Sequence, residues 1–168
     1  KIYSYRVLPP DMQFLSADPT LAVSLRFGVG VVAGVVATLA MDVVMVWLPE
    51  GTTSPAIAAG VLTDRPPGDA PDRLASVVHY VAGFLTGPLF VWLLLTSEGV
   101  LGAQSPVAVP AATAVLYVLM VGFFAVVVLP RSRVASDRVG PIRRDWALSA
   151  AAYLTVLVPV VALASTVL

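Results

Sequence analysis

The chain has no cysteine, a single histidine and few charges: 12% of its 168 residues are Asp, Glu, Lys or Arg, about half the share usual in a soluble domain. The missing thiols exclude disulfides, thiolate zinc sites, iron–sulfur clusters and a cysteine nucleophile from this chain. One histidine rules out bis-histidine haem ligation within the chain and the HExxH zinc pattern. No cofactor or metal set is implied. Ten basic residues balance ten acidic ones, and no basic cluster is interleaved with aromatics, so nucleic acid is not an expected partner.

Apolar side chains fill the space that charge leaves. They make up 58% of the residues, and the mean hydropathy is +0.91. These values imply an integral membrane protein whose first partner is lipid. Four apolar runs exceed the roughly 20 residues needed to span about 30 Å of hydrocarbon as helix. They cover about 21–48, 74–96, 106–129 and 145–168. The expected fold is therefore all-α, four transmembrane helices in an up-down bundle over residues 21–168. No polar block is large enough to fold separately.

Residues 1–20 mix aromatics, prolines and charges without a period, and are too polar for a secretory h-region. They read as an interfacial segment with Tyr3, Tyr5 and Phe14 at headgroup level, ending in a helix start with Asp18 as cap and Pro19 in the first turn. The first span includes Arg26, which can snorkel to the near interface, and ends at Trp47-Leu48-Pro49. In the loop 49–73, Ser54 to Leu62 reads as a short amphipathic or re-entrant helix capped by Ser54, with Pro55 at its first position. Pro88 should kink the second span and Pro159 the fourth. Glu98 to Ser105 reads as a short polar turn, and residues 131–145 as a basic loop.

Basic residues orient the chain. The side carrying loops 49–73 and 131–145 has Arg65, Arg73, Arg131, Arg133, Arg138, Arg143 and Arg144, whereas the other has Lys1, Arg6 and Arg26. The asymmetry places those loops in the cytoplasm and both termini outside.

Chemistry concentrates in two stripes of four-residue period, a spacing that keeps residues on one side of a helix. The first span carries Gly30, Gly34, Thr38 and Asp42; the second carries His79, Gly83 and Gly87. On antiparallel neighbours these run in register, with Asp42 and His79 both about 8 Å inside the loop-side boundary at 1.5 Å per residue. Thr38 then faces Gly83, and Gly34 faces Gly87. Glycines on both helices let the backbones approach and bring the acid within reach of the imidazole. Such a pair can be a protonatable relay on an ion path or a polar clasp between two helices. Its shallow depth favours the clasp.

Ser149 and Tyr153, one turn apart on the fourth span, can complete a polar cluster near the pair, and Tyr117 on the third can reach across by its hydroxyl. Ser149, His79 and Asp42 formally supply the parts of a serine hydrolase, but no glycine-flanked nucleophile motif surrounds Ser149. No enzyme is expected.

The run ATLAMDVVMVW, the loop SPAIAAGVL and the segment HYVAGFLTG together resemble a family of small prokaryotic four-helix integral membrane proteins with no assigned activity. The resemblance covers residues 30–90. It implies the four-helix fold and no function. The expected role is a non-catalytic membrane subunit or accessory protein, packing through small-residue faces against other membrane subunits or copies of itself. The alternative is a homo-oligomeric channel or a proton or ion carrier using Asp42 and His79.

Overall fold

Among the described residues four helices are long and apolar enough to cross a membrane, and they form an all-α up-down bundle. The computed structural model describes residues 19–103 and 105–167. The interfacial segment 1–20, its aromatic anchors and the Asp18 cap lie outside the described residues, apart from Pro19 and Thr20, where the first helix begins. The helices are α1 (Pro19–Trp47), α3 (Asp72–Leu101), α4 (Ala108–Phe123) and α5 (Ser136–Ser165), with a short α2 (Thr53–Thr63) between α1 and α3. Helix α4 continues through one wide turn of π type, Phe124–Val128, and a 3-10 turn, Leu129–Arg131.

Helix α1 packs against both α3 and α5, α4 packs against both as well, and α1 and α4 lie on the diagonal. Two four-step series on α1 explain its position. Gly30, Gly34 and Thr38 face α3, while Ala33, Ala37, Met41 and Met45 are buried in the common core. That core continues through Phe90 and Leu94 of α3, Ala112 and Leu116 of α4, and Leu157 of α5. The sequence pattern pointed only to the α1–α3 contact. Helix α1 contacts α5 as extensively as it does α3, and the alanine and methionine series, hidden in a run of valines and leucines, shares its core with Tyr153, Leu154, Leu157 and Val161 of α5.

Three boundaries differ from the sequence reading. Helix α5 starts at Ser136, not near Asp145, so most of the basic loop 131–145 is helical. Its proline-containing start is held by α2, whose Ile57 joins Phe124, Leu129 and Ile142 in a second small core. Helix α3 extends to Leu101, which places Glu98 inside the helix instead of in a turn. The α2 cap position is Thr52, one residue ahead of the helix, and Ser54 is an internal residue. Helices α3 and α5 run through Pro88 and Pro159 without a break.

Candidate functional site

The two glycine stripes meet. A Cβ built on Gly34 would lie 2.9 Å from the Gly83 carbonyl oxygen and 3.2 Å from Gly87 N; one on Gly30 would lie 3.0 Å from the Gly87 carbonyl oxygen. One on Gly83 would collide with the Thr38 hydroxyl, and one on Gly87 with the Gly30 carbonyl oxygen. Each four-residue step along α1 is matched by a four-residue step back along α3, so the contact is close and its register fixed.

At the loop end of this seam, His79 Nε2 lies 2.6 Å from Asp42 Oδ1. The other carboxylate oxygen accepts a hydrogen bond from the Tyr80 hydroxyl at 2.9 Å. The Tyr80 ring stands edge-on to the imidazole, with centroids 5.2 Å apart. Tyr80 is thus a third member that the period-four pattern could not indicate, since it neighbours His79 in sequence and reaches around to the acid. The imidazole is the more enclosed partner, at 10% side-chain exposure against 30% for Asp42.

A second polar pair closes the other end of the seam. Arg26 Nη1 donates to Glu98 Oε2 at 2.8 Å, and Nη2 to the Ser165 carbonyl at 3.3 Å. Arg26 is therefore engaged by α3 and α5. The sequence reading missed this because it placed Glu98 in a loop.

The remaining candidates serve the backbone. The Thr38 hydroxyl donates to the Gly34 carbonyl at 2.7 Å, and the Ser149 hydroxyl to the Asp145 carbonyl at 2.8 Å. The Tyr153 hydroxyl donates across to Gly83 O at 2.8 Å, tying α5 to the seam. The Tyr117 hydroxyl reaches the Ala147 carbonyl at 3.3 Å. Ser149 and His79 share no hydrogen bond, so the serine, histidine and acid do not assemble as a catalytic relay.

Asp145, read only as a helix start, is fully buried. Its Oδ2 accepts the Glu50 N–H at 2.8 Å and its Oδ1 the Arg144 Nε–H at 2.9 Å. Arg138 grips the Glu50 carboxylate through Nε at 2.8 Å and Nη2 at 2.7 Å. The bidentate Arg138 bond and then the Thr53 hydroxyl hold the Glu50 carboxyl below its ordinary range. These contacts fasten the α1–α2 turn to α5.

His79 separates two spaces. Toward the loops lies a recess of about 400 Å³ whose largely apolar wall also carries Asp42, Thr52, Asp72, Ser76 and Tyr80. Toward the membrane centre lies a mainly apolar cavity of about 410 Å³ between the loop-side halves of α3 and α4. Among the described residues no group of three His, Asp or Glu side chains forms a metal cage. No family model, curated protein or solved structure matches the chain.

Proposed function

We propose that the protein is a non-catalytic integral membrane subunit or accessory protein, in which the Asp42–His79 pair is a clasp between α1 and α3. One observation carries this reading. Between the pairs at the two ends of the seam, α1 rises about 24 Å over the 16 residues from Arg26 to Asp42 at 1.5 Å per residue. In that interval it has no ionisable group, and its one hydroxyl, on Thr38, donates to the helix backbone. A proton leaving His79 along this seam meets glycine backbone in close contact. A carboxylate alone in a span costs roughly 2.5–3.5 kcal/mol on insertion scales, and pairing with an imidazole offsets part of that cost.

The four glycines are occupied within the chain, so partner helices would meet other faces. Val32, Val36, Leu39 and Val43 form an exposed stripe on α1. The carrier reading draws on a different feature, the position of His79 between the loop-side recess and the inner cavity.

Proteoliposomes separate the two. Under the clasp reading, folded wild type leaves an imposed pH gradient intact. Asp42→Asn then lowers thermal stability by about 1.5–3 kcal/mol, the worth of a charge-assisted bond. Flux through wild type, abolished by Asp42→Asn in a folded protein, would establish the carrier instead. For orientation, we place loops 49–73 and 131–145 in the cytoplasm and both termini outside. The arginine excess supports this, because acidic neighbours such as Glu50 and Asp64 contribute little to the rule.

A further inference from the structure

We propose that the cavity between α3 and α4 binds a membrane-dissolved, uncharged molecule, an apolar chain or ring bearing a carbonyl oxygen, with the Ser54 hydroxyl as donor to that oxygen. This inference stands apart from the subunit role and would survive its failure.

The space has the size and position for such a ligand. Its volume of about 410 Å³ falls in the roughly 300–1,000 Å³ range of small-molecule sites. Along α3 it runs from Val78 to Leu89, about 16 Å at 1.5 Å per residue. Its rim includes Leu89, Leu119 and Phe123, at 39%, 48% and 61% exposure. These are lipid-facing positions on α3 and α4, so the entrance is lateral, from the bilayer. Helix α2 covers the loop-side end with Ser54, Pro55 and Ala58.

Donor accounting identifies the polar group the ligand must bring. Four hydroxyl side chains among the described residues border the cavity: Thr38, Ser54, Thr86 and Tyr153. Thr38 gives its proton to Gly34 O, Thr86 to Ala82 O and Tyr153 to Gly83 O. Trp146, also on the wall, gives its indole N–H to Met120 O. Ser54 is 2% exposed, and its Oγ has no hydrogen-bond partner among the described residues. It is the second residue of α2, and the Glu50 carbonyl one turn back takes the Thr53 N–H at 3.1 Å. A buried hydroxyl without a partner costs roughly 1–3 kcal/mol; its oxygen is sealed from the open space, so an acceptor oxygen recovers that cost by reaching it as the wall side chains shift.

The same walls exclude other ligands. Among the described residues no lysine or arginine lines the cavity, and its imidazole is already engaged by Asp42, so a phosphate or sulfate headgroup finds no countercharge there. A carbonyl on an apolar body fits, and two sources share that chemistry: an acyl ester and a quinone ring.

Trp146 supplies the reporter. In a Trp47→Phe/Trp92→Phe background, which alters two exposed residues, it is the only tryptophan. The protein in lipid vesicles is titrated separately with a dibrominated fatty acid methyl ester, a decyl-substituted benzoquinone and a dibrominated alkane. Saturable quenching by the ester, the quinone or both is expected, and whichever saturates identifies the source. Ser54→Ala should raise the half-saturating mole fraction about two- to tenfold, the worth of one hydrogen bond, and Ser54→Thr should restore it. Ala82→Phe, on the exposed rim, should abolish saturation. Because Ser54→Ala removes an unpaired hydroxyl, its unfolding temperature should equal or exceed that of wild type, which separates lost binding from lost fold. Linear quenching by both carbonyl probes would overturn the proposal. So would half-saturation by the alkane equal to that by the ester, or unchanged by Ser54→Ala.

Discussion

Replacing Gly87 by alanine tests the α1–α3 seam most directly, because two effects of known size oppose each other. Alanine in a helix interior is favoured over glycine by about 1 kcal/mol. Against this, the added methyl meets the Gly30 carbonyl oxygen and lies 3.1 Å from Gly34 Cα. Both obstacles are backbone, so no side chain can turn away and α1 must move as a body. Overpacking of this kind costs about 1–3 kcal/mol and sometimes more. Separation also stretches the 2.6 Å contact between His79 and Asp42, which lies two helical turns away on the same face. These two effects leave a loss of about 0–2 kcal/mol, and the stretched pair brings the net expectation to about 1–2 kcal/mol. At roughly 2–4 °C per kcal/mol for a chain of this length, the unfolding temperature should fall by about 2–8 °C.

The same substitution elsewhere supplies the controls. A methyl on Gly34 meets the Gly83 carbonyl at 2.9 Å, again backbone, and should destabilise comparably. On Gly30 its nearest obstacle is Val91 Cγ2 at 2.7 Å, a side-chain atom, with the Gly87 carbonyl at 3.0 Å, so the loss should be smaller. On Gly28 it meets nothing within 4 Å, and the propensity gain should appear as a small rise. Thermal unfolding in mild detergent, followed by tryptophan fluorescence, reads all four. If Gly87→Ala proves as stable as Gly28→Ala, the helices do not approach at backbone distance and the register argument fails.

The proteoliposome and quenching experiments above test the clasp and the cavity. For the loop-side cluster, the depressed Glu50 carboxyl sets the sign of a pH effect. Its stabilisation is fully present above the ordinary glutamate value of about 4.3 and is lost as pH falls through the lower folded value; a scan of unfolding temperature from neutral to strongly acidic pH should therefore lose this increment in wild type and not in Glu50→Gln. For topology, Thr52→Cys and Ser136→Cys, both at exposed positions, should resist an impermeant thiol reagent in intact cells and react after permeabilisation. Labelling of both in intact cells would invert the orientation.

The spans were legible because bilayer thickness imposes a length that no other described element reaches. The register of the seam was legible too: Gly30, Gly34, Thr38 and Asp42 differ so much in size and polarity from the valines around them that the period stands out. In the core it shares with α5, α1 uses alanine and methionine, which do not stand out. The start of α5 was hidden because Gly140, Pro141 and four charges score as a loop, whereas Ile142 and Asp145 are buried by partners far away in sequence. Glu98 was read as a turn residue from its polarity alone, and its engagement by Arg26 depends on where α1 begins. The inner cavity had no local signal, since it forms where α3, α4 and α2 leave space between them.

The paired ends of the seam bear on how the chain enters the bilayer. Taken singly, α1 brings Arg26 and Asp42 into or near the hydrocarbon, and α3 brings His79 and Glu98. Each group is a penalty for a segment leaving the translocation channel alone. Side by side, the four become two bonded pairs. On this physical argument the hairpin is the unit that should partition favourably, and α1 would then be retained at the channel until α3 has been synthesised. Helices α4 and α5 would add to a template whose register is already set. A lesion at Asp42 or Glu98 would accordingly be felt first during biogenesis, as slow or incomplete integration of the leading helices, before any property of the mature protein could be measured.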